Sequence, residues 1–213
     1  MAELTESTAL IGARLRRMRK ESGLSLRAVA EAVGISSSAL SQIENGVMQP
    51  SVNRLIEIVS VLGVPVAAIF DDHDVLHPID LGQETASQPL PGVMVALASA
   101  ASERTLGQGV VYRRLTPTRI PGVDLYETVY PPLTSSSVDG AMLVHDGYEA
   151  GRVVSGTLSF EFSEGVVELG VGDCLSFWAS RPHRVVNASA DTPAVAMWLT
   201  LRGRSEGEAA AQQ

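Results

Sequence analysis

Cysteine is nearly missing from this sequence: Cys174 is the one thiol among 213 residues. A lone cysteine excludes an internal disulfide and suits a reducing, cytoplasmic setting. Cys174 falls in an apolar, strand-like stretch, so a buried and inert thiol is expected there. Long apolar runs are also lacking. Hydrophobic residues make up 45% of the chain, enough for a real core, yet no run reaches the ~18 residues that a membrane-crossing helix needs. The first twenty residues place acids before bases, the wrong order for a secretory signal, and no apolar segment follows them. An excess of positive charge is missing too, since the formal net charge is −8. That charge is unevenly divided. Residues 1–70 hold seven Lys and Arg against six Asp and Glu, whereas residues 71–213 hold nine against eighteen. The basic residues of the first part cluster as Arg14, Arg16, Arg17, Arg19 and Lys20, with Arg27 and Arg54 nearby.

What is present is a dense local pattern over residues 25–46, SLRAVAEAVGISSSALSQIENG. Leu26, Val29, Ala30 and Val33 recur at i, i+3, i+4 and i+7, which is one face of a helix. Ser25 is placed to cap its start and Gly34 to stop it in a left-handed conformation. Ser36 can cap a second helix, which turns Ala39, Leu40 and Ile43 inward and ends at Asn45-Gly46. Two short helices joined by a glycine turn form a helix-turn-helix pattern. The second helix presents Ser37, Ser38, Ser41 and Gln42 outward. These uncharged donors and acceptors can approach base edges in a major groove, and a glutamine can engage adenine through two atoms.

The flanks carry a family resemblance. Gly23-Leu24, Val29-Ala30, Gly34, Ser41-Gln42-Ile43-Glu44-Asn45-Gly46, Pro50-Ser51 and Leu62-Gly63-Val64 resemble the phage-repressor (XRE) type of helix-turn-helix, over residues 11–70. The resemblance implies a five-helix DNA-binding domain. Ser37, Ser38 and Gln42 would read bases, Asn45 would bond phosphate, and Ser36, Ser41 and Arg27 would flank the contact. Arg19 and Glu44 match a paired arginine and glutamate, expected as a structural ion pair. Leu26 departs from the pattern, because many members carry a phosphate-bonding glutamine there.

Around this pattern the first helix is expected from about Thr8 to Glu21, with Leu10, Ile11, Leu15 and Met18 inward and residues 1–8 frayed. Ser51 can cap a fourth helix burying Val52, Leu55, Ile56, Val59 and Leu62, and Pro65 can open a fifth ending near Phe70. Residues 71–102 change to a polar, proline-punctuated linker in which His73 and His77 stand among aspartates without forming a second cluster. Residues 93–101 are short and apolar, and periodicity leaves helix and strand open. From Gly109 onward the pattern is strand-like, with candidate strands at 110–115, 123–129, 141–144, 152–154, 157–162, 166–169, 174–178, 183–186 and 194–201. Short strands with Gly, Pro, Asn and Asp turns point to a closed barrel or double-sheet jelly roll. Residues 204–213 read as a disordered tail. The expected architecture is therefore α+β with two domains, 1–70 and 103–203, joined by the linker 71–102.

Two stretches in the second domain stand out. One is His145-Asp146-Gly147-Tyr148-Glu149 with Gly156 following. The other is Gly172-Asp173, then Pro182-His183, then Asn187. With their spacing they resemble the two motifs of the cupin barrel. In metal-binding cupins the motifs supply three histidines and a glutamate. By that resemblance His145, Glu149 and His183 fill three places, and Leu143 stands where the remaining histidine would be. Two histidines and a carboxylate can hold a divalent transition metal with open positions. The same groups can instead bind an organic effector directly, or simply bond one another within the barrel. Tyr148, Arg152, Trp178 and Arg184 are candidates to line the pocket with them.

Together the resemblances imply a transcriptional regulator that binds a double-stranded DNA operator as a homodimer and senses a small-molecule effector in its cupin domain. A single recognition helix reads few base pairs, and two-fold pairing doubles the site. The alternative is a metal-dependent cupin enzyme, an oxygenase or isomerase, with an attached DNA module.

Overall fold

The computed structural model describes residues 2–70, 93–95 and 103–203, with side chains from Thr8 onward. The linker histidines His73 and His77, most of the apolar segment 93–101 and the tail 204–213 lie outside the described residues.

Four α-helices come first: α1 (Ala2–Glu21), α2 (Leu26–Val33), α3 (Ser37–Glu44) and α4 (Val52–Val61). The helix begins at Ala2, earlier than the expected start at Thr8. The local capping signals act as their chemistry requires. Ser25, Ser36 and Ser51 each stand extended before a helix and accept a backbone N–H from the third residue on. Gly34 ends α2 at φ 73°, in the left-handed region that a Cβ disfavours. The expected fifth helix is a 3-10 turn, Val66–Phe70, so the helical part holds four α-helices. Five residues are too few to build an i to i+4 ladder, and burial of all five holds the turn instead.

Ile11, Leu15, Val29, Leu40, Leu55 and Val59 fill the centre of the helical core. Leu10 does not join them and is exposed. Arg14 is not part of an outer basic face: it is buried and donates to the Ile69 carbonyl. Arg19 donates to both oxygens of Glu44, Nε to Oε1 at 2.5 Å and Nη2 to Oε2 at 2.8 Å, tying α1 to α3.

Among the described residues ten strands follow: β1 (Glu103–Thr105), β2 (Val111–Arg114), β3 (Val123–Tyr130), β4 (Thr134–Ser135), β5 (Tyr148–Ser155), β6 (Leu158–Phe162), β7 (Gly165–Leu169), β8 (Cys174–Trp178), β9 (His183–Asn187) and β10 (Ala194–Leu201). They form two antiparallel sheets, β1-β2-β3-β10-β5-β8 and β4-β9-β6-β7. The two sheets are separate hydrogen-bonded layers, so the closed barrel expected from the sequence is corrected to a two-sheet β domain. Residues 141–144 form no strand; an isolated bridge joins Leu143 to His183. Strands β1 and β4, each only two or three residues long, had no legible pattern.

Strand register decides which side chains face the interior. In the β5–β8 pair Glu149 opposes Phe177 and Gly151 opposes Leu175, while Tyr148 opposes Trp178 and Arg152 opposes Cys174. Because side chains alternate, the first set points between the sheets and the second points out. Cys174 is accordingly exposed, not buried. Gly151 fits because its neighbour on β10 is Trp198: a Cβ there would meet the indole ring at 2.1 Å.

The two parts touch closely. The Gly107 amide donates to the Pro50 carbonyl at 2.8 Å, and the Asn53 amide donates to the Ser136 carbonyl at 2.9 Å. Phe70 stacks on Tyr126 with ring centroids 5.6 Å apart.

Candidate functional site

Helix α3 presents its expected outer face. Ser37, Ser38 and Gln42 are exposed, Ser41 is half-buried, and Leu40, Ile43 and Glu44 are buried against the helical core. Ser36 is spent as the cap, its hydroxyl accepting from the Ala39 amide at 3.0 Å. Asn45 ends the helix, exposed, with Arg16 Nη1 3.4 Å from its Oδ1. Arg27 is exposed on α2. Of the sequence-level basic cluster, Arg16, Arg17, Lys20 and Arg27 face outward, while Arg14, Arg19 and Arg54 make internal contacts. Leu26 is half-buried against the helical core.

A second site lies between the two sheets, in a cavity of about 50 Å³. His145 arrives on the loop before β5, Glu149 on β5 and His183 at the start of β9. Candidate ligand atoms of the three fall within 4.8 Å of one another. Nε2 of His145 is 3.0 Å from Glu149 Oε1, and Nε2 of His183 is 4.0 Å from Glu149 Oε2. Both imidazoles are oriented from behind. Nδ1 of His145 donates to the Asp146 carbonyl at 3.0 Å and Nδ1 of His183 to the Arg181 carbonyl at 2.8 Å. A carbonyl can only accept, so each Nδ1 carries the proton and each Nε2 turns a lone pair toward Glu149. Nε2 of His145 is buried and meets no partner in hydrogen-bond geometry, and its contact with Glu149 is an ion pair when the imidazole is protonated.

Electrostatics favour the ligating forms of Glu149 and His183 and oppose that of His145. Burial works against charge on Glu149, but His145, His183 and Arg202 outweigh it and hold the carboxyl below its ordinary range. Burial pushes His183 down, against the pull of Glu149. Burial also opposes the charge on His145, yet the Glu149 carboxylate and the Asp146 carbonyl outweigh it and raise that imidazole. A neutral His183 and an ionised Glu149 at neutral pH are the forms that bind metal. Two imidazoles and one carboxylate, with an unpartnered ring nitrogen among them, fit a divalent transition metal. Leu143, buried on the cavity wall, offers no fourth ligand.

The structure does not bring Tyr148, Arg152 or Trp178 to this cavity. Tyr148 stacks edge-on against Trp178 and donates to Ser176 Oγ at 2.8 Å on the outer face, where Arg152 is also exposed. The cavity is walled instead by Tyr112, Tyr126, Tyr130 and Trp198, and by the Asp124–Arg202 pair at 3.1 Å. Burial raises all three tyrosines, so they stay phenols. Sequence reasoning missed these groups because they sit on β2, β3 and β10, outside both motifs. Alternation along β3 was their one available signal. The third wall comes from α4, through Val52, Asn53 and Ile56.

Comparisons with known proteins agree with this geometry. A helix-turn-helix family model matches residues 15–69 and a cupin domain model matches residues 130–200. The chain is 27% identical over 187 residues to the HTH-type transcriptional regulator PuuR of Escherichia coli (strain K12), covering 84% of this chain and 88% of that protein. It is 30% identical over 106 residues to the HTH-type transcriptional regulator SinR of Bacillus subtilis (strain 168), covering 49% of this chain and 93% of SinR. Among solved structures, an HTH_3 family transcriptional regulator from Vibrio cholerae shares the fold at a TM-score of 0.64 and 23% identity, covering 94% of this chain and 99% of that one. No helix among the described residues is long and apolar enough to cross a membrane. With helix α3 exposed for DNA at one end and a two-sheet cupin at the other, the chain belongs to the family of helix-turn-helix transcriptional regulators.

Proposed function

We infer that this regulator is a cytoplasmic one-component sensor: residues 1–70 bind an operator, and the cupin of residues 103–203 holds the ligand that tunes that binding. The observation that carries the reading is the cavity set of His145, Glu149 and His183, whose candidate ligand atoms lie within 4.8 Å of one another around an unpartnered His145 Nε2. Those three residues would hold a divalent transition metal, and the metal would supply Lewis acidity. What this chain's own residues do is orient the two rings, through the Asp146 and Arg181 carbonyls, and keep Glu149 ionised. The enzyme reading, a metal-dependent oxygenase or isomerase, is the less supported one, because Leu143 stands on the cavity wall and offers no fourth ligand.

On the DNA side Ser37, Ser38 and Gln42 read bases and Asn45, beside Arg16, bonds the phosphate backbone, with Ser41 and Arg27 flanking the contact and Ser36 capping α3. Few outward cations imply a modest salt-driven term, so specificity rests on α3. A homodimer supplies the second half-site. Leu125, Met197 and Leu199 surround an open hollow of about 530 Å³ on the outer face of the six-stranded sheet, an apolar surface suited to pairing.

The test is a mobility shift with DNA from upstream of the protein's own gene, at near-physiological salt with excess competitor. A discrete, competitor-resistant shift whose midpoint moves between metal-loaded and chelator-treated protein supports the reading. Gln42→Ala should weaken operator binding by ~1–3 kcal/mol and erase discrimination against scrambled DNA. His183→Ala should leave chelator-treated binding intact and abolish the metal response. No competitor-resistant shift in either state overturns the operator reading, and identical midpoints overturn the sensor reading.

A further inference from the structure

The ligand cavity is not walled by the cupin alone, because Val52, Asn53 and Ile56 of α4 close one side of it. Asn53 is 3% exposed. Its Nδ2 donates to the Ala141 carbonyl at 2.9 Å, which fixes which end of the amide is nitrogen. Its Oδ1 is buried with no hydrogen-bond partner. A buried carbonyl oxygen left unmet is costly, so the position implies a partner. Among the described residues, the other unpartnered buried side-chain atom at this cavity is His145 Nε2. One group belongs to each domain. Asn53 Oδ1 offers a lone pair and no proton, so a molecule that only accepts hydrogen bonds does not satisfy it.

We propose that Asn53 is a ligand contact of the sensor site contributed by the DNA-binding helices, accepting an O–H from a hydrated divalent metal ion that fills the cavity. The inference rests on the reading of this cavity as the sensor's ligand site. A hydrated ion meets both demands. It is a Lewis acid for His145, Glu149 and His183, and it brings water hydrogens for Asn53 Oδ1. Its size suits a cavity that admits only a few water-sized groups. The consequence for DNA binding runs through the next residue. Arg54 donates to the Val33 carbonyl at the end of α2 at 2.8 Å and reaches Asp139 of the cupin at 3.3 Å. A filled cavity that grips Asn53 therefore fixes α4 and the helix-turn-helix against the cupin. By thermodynamic reciprocity, operator DNA then changes metal affinity by the same factor that metal changes operator affinity.

The experiment uses the full chain and cobalt(II) alone as the probe. Titration calorimetry gives the affinity, and hydrogen–deuterium exchange of residues 52–61 gives the response of α4. Wild type should bind one ion and gain protection over 52–61. Asn53→Leu should lose 10–100-fold in affinity, as removal of an outer-sphere partner does, and lose the cobalt-dependent protection. Asn53→Asp loses the same Ala141 bond but keeps an acceptor oxygen, so it should bind at least as tightly as wild type and keep the protection. It thereby controls for a merely structural role, and Asn53→Ala replaces the leucine variant if that one does not fold. Wild-type affinity and wild-type protection in Asn53→Leu overturn the inference alone. Equal loss in the leucine and aspartate variants also overturns it, since the Ala141 bond would then be the cause. No cobalt binding by wild type overturns both the metal reading of the cupin and this inference.

Discussion

Arg19 shows how far a single buried charge is from its surface counterparts. Its side chain is 11% exposed and its partner Glu44 only 3%. Removing one member of such a pair leaves the other charge buried, which costs about 3–5 kcal/mol. Arg19→Ala should lower the stability of the helical domain by that order in urea unfolding followed by far-ultraviolet circular dichroism. A midpoint equal to wild type would show that the pair is not structural. By contrast Arg17–Glu21, at 3.8 Å on the surface, should be worth less than about 1 kcal/mol. Asp139 is a residue-scale case with a pH signature. Its carboxylate accepts from Ser137 Oγ at 2.7 Å and the Ala141 amide at 3.1 Å, and Arg54 lies near, so its pKa is held below the ordinary value. A depressed carboxyl stabilises the fold above the unfolded value near ~3.9 and loses that contribution as pH falls through the folded one. Asp139→Asn should therefore melt below wild type at pH 6, with the gap closing below about pH 4. A gap independent of pH would refute this account.

At the scale of elements, sequence legibility divides by the range of the physics. The helix starts at Ser25, Ser36 and Ser51 and the stop at Gly34 were legible because a cap is decided within four residues. The ion pair of α1 and α3 was legible through resemblance. The strands β3, β6, β7, β8, β9 and β10 were legible from short apolar runs between turn residues, but their facing was not. Tyr148 and Arg152 flank Glu149 in the motif and yet point to the opposite side, because the alternation phase of β5 is set by its pairing with β8 and β10. Gly12 carries an element-scale prediction. It lies inside α1, where glycine weakens a helix, and a Cβ there would fall 2.3 Å from the Ile43 carbonyl oxygen. Close approach of α1 to the end of α3 explains the glycine. Gly12→Ala should thus destabilise by about 1–3 kcal/mol despite its better helix propensity, as overpacking does. Denaturant midpoints test this, and a stabilised variant would mean that the helices are free to shift apart.

At the scale of the whole molecule, the charge asymmetry acquires a place. The net −9 of residues 71–213 belongs with the cupin and its flanks, while the outward cations Arg16, Arg17, Lys20 and Arg27 stay with the helices. Under the proposed function, acidic residues on the cupin part disfavour its contact with DNA and leave α3 as the approaching surface. Dimerisation is the prediction at this scale. Sedimentation velocity at micromolar concentration should show a dimer, and Met197→Glu, at the apolar outer face of the six-stranded sheet, should shift it toward monomer. Monomer for wild type with and without DNA would remove the dimer from the account, and a dimer untouched by Met197→Glu would place the interface elsewhere.

The amino-acid sequence by itself determined the helix-turn-helix, its caps and its outward serines and glutamine, together with the residue types of the His145, Glu149 and His183 set. The helical features follow from short-range periodicity and capping, and the ligand set from resemblance to the cupin motifs. The tertiary structure alone decided that Tyr148, Arg152, Trp178 and Cys174 face away from the cavity, that tyrosines from β2 and β3 line it, and that α4 closes it with Asn53. Those outcomes depend on strand register and on the docking of residues more than eighty positions apart, such as Asn53 on Ala141. No local pattern encodes such contacts, because their free energy comes from burial and hydrogen bonds made only when both partners are already folded.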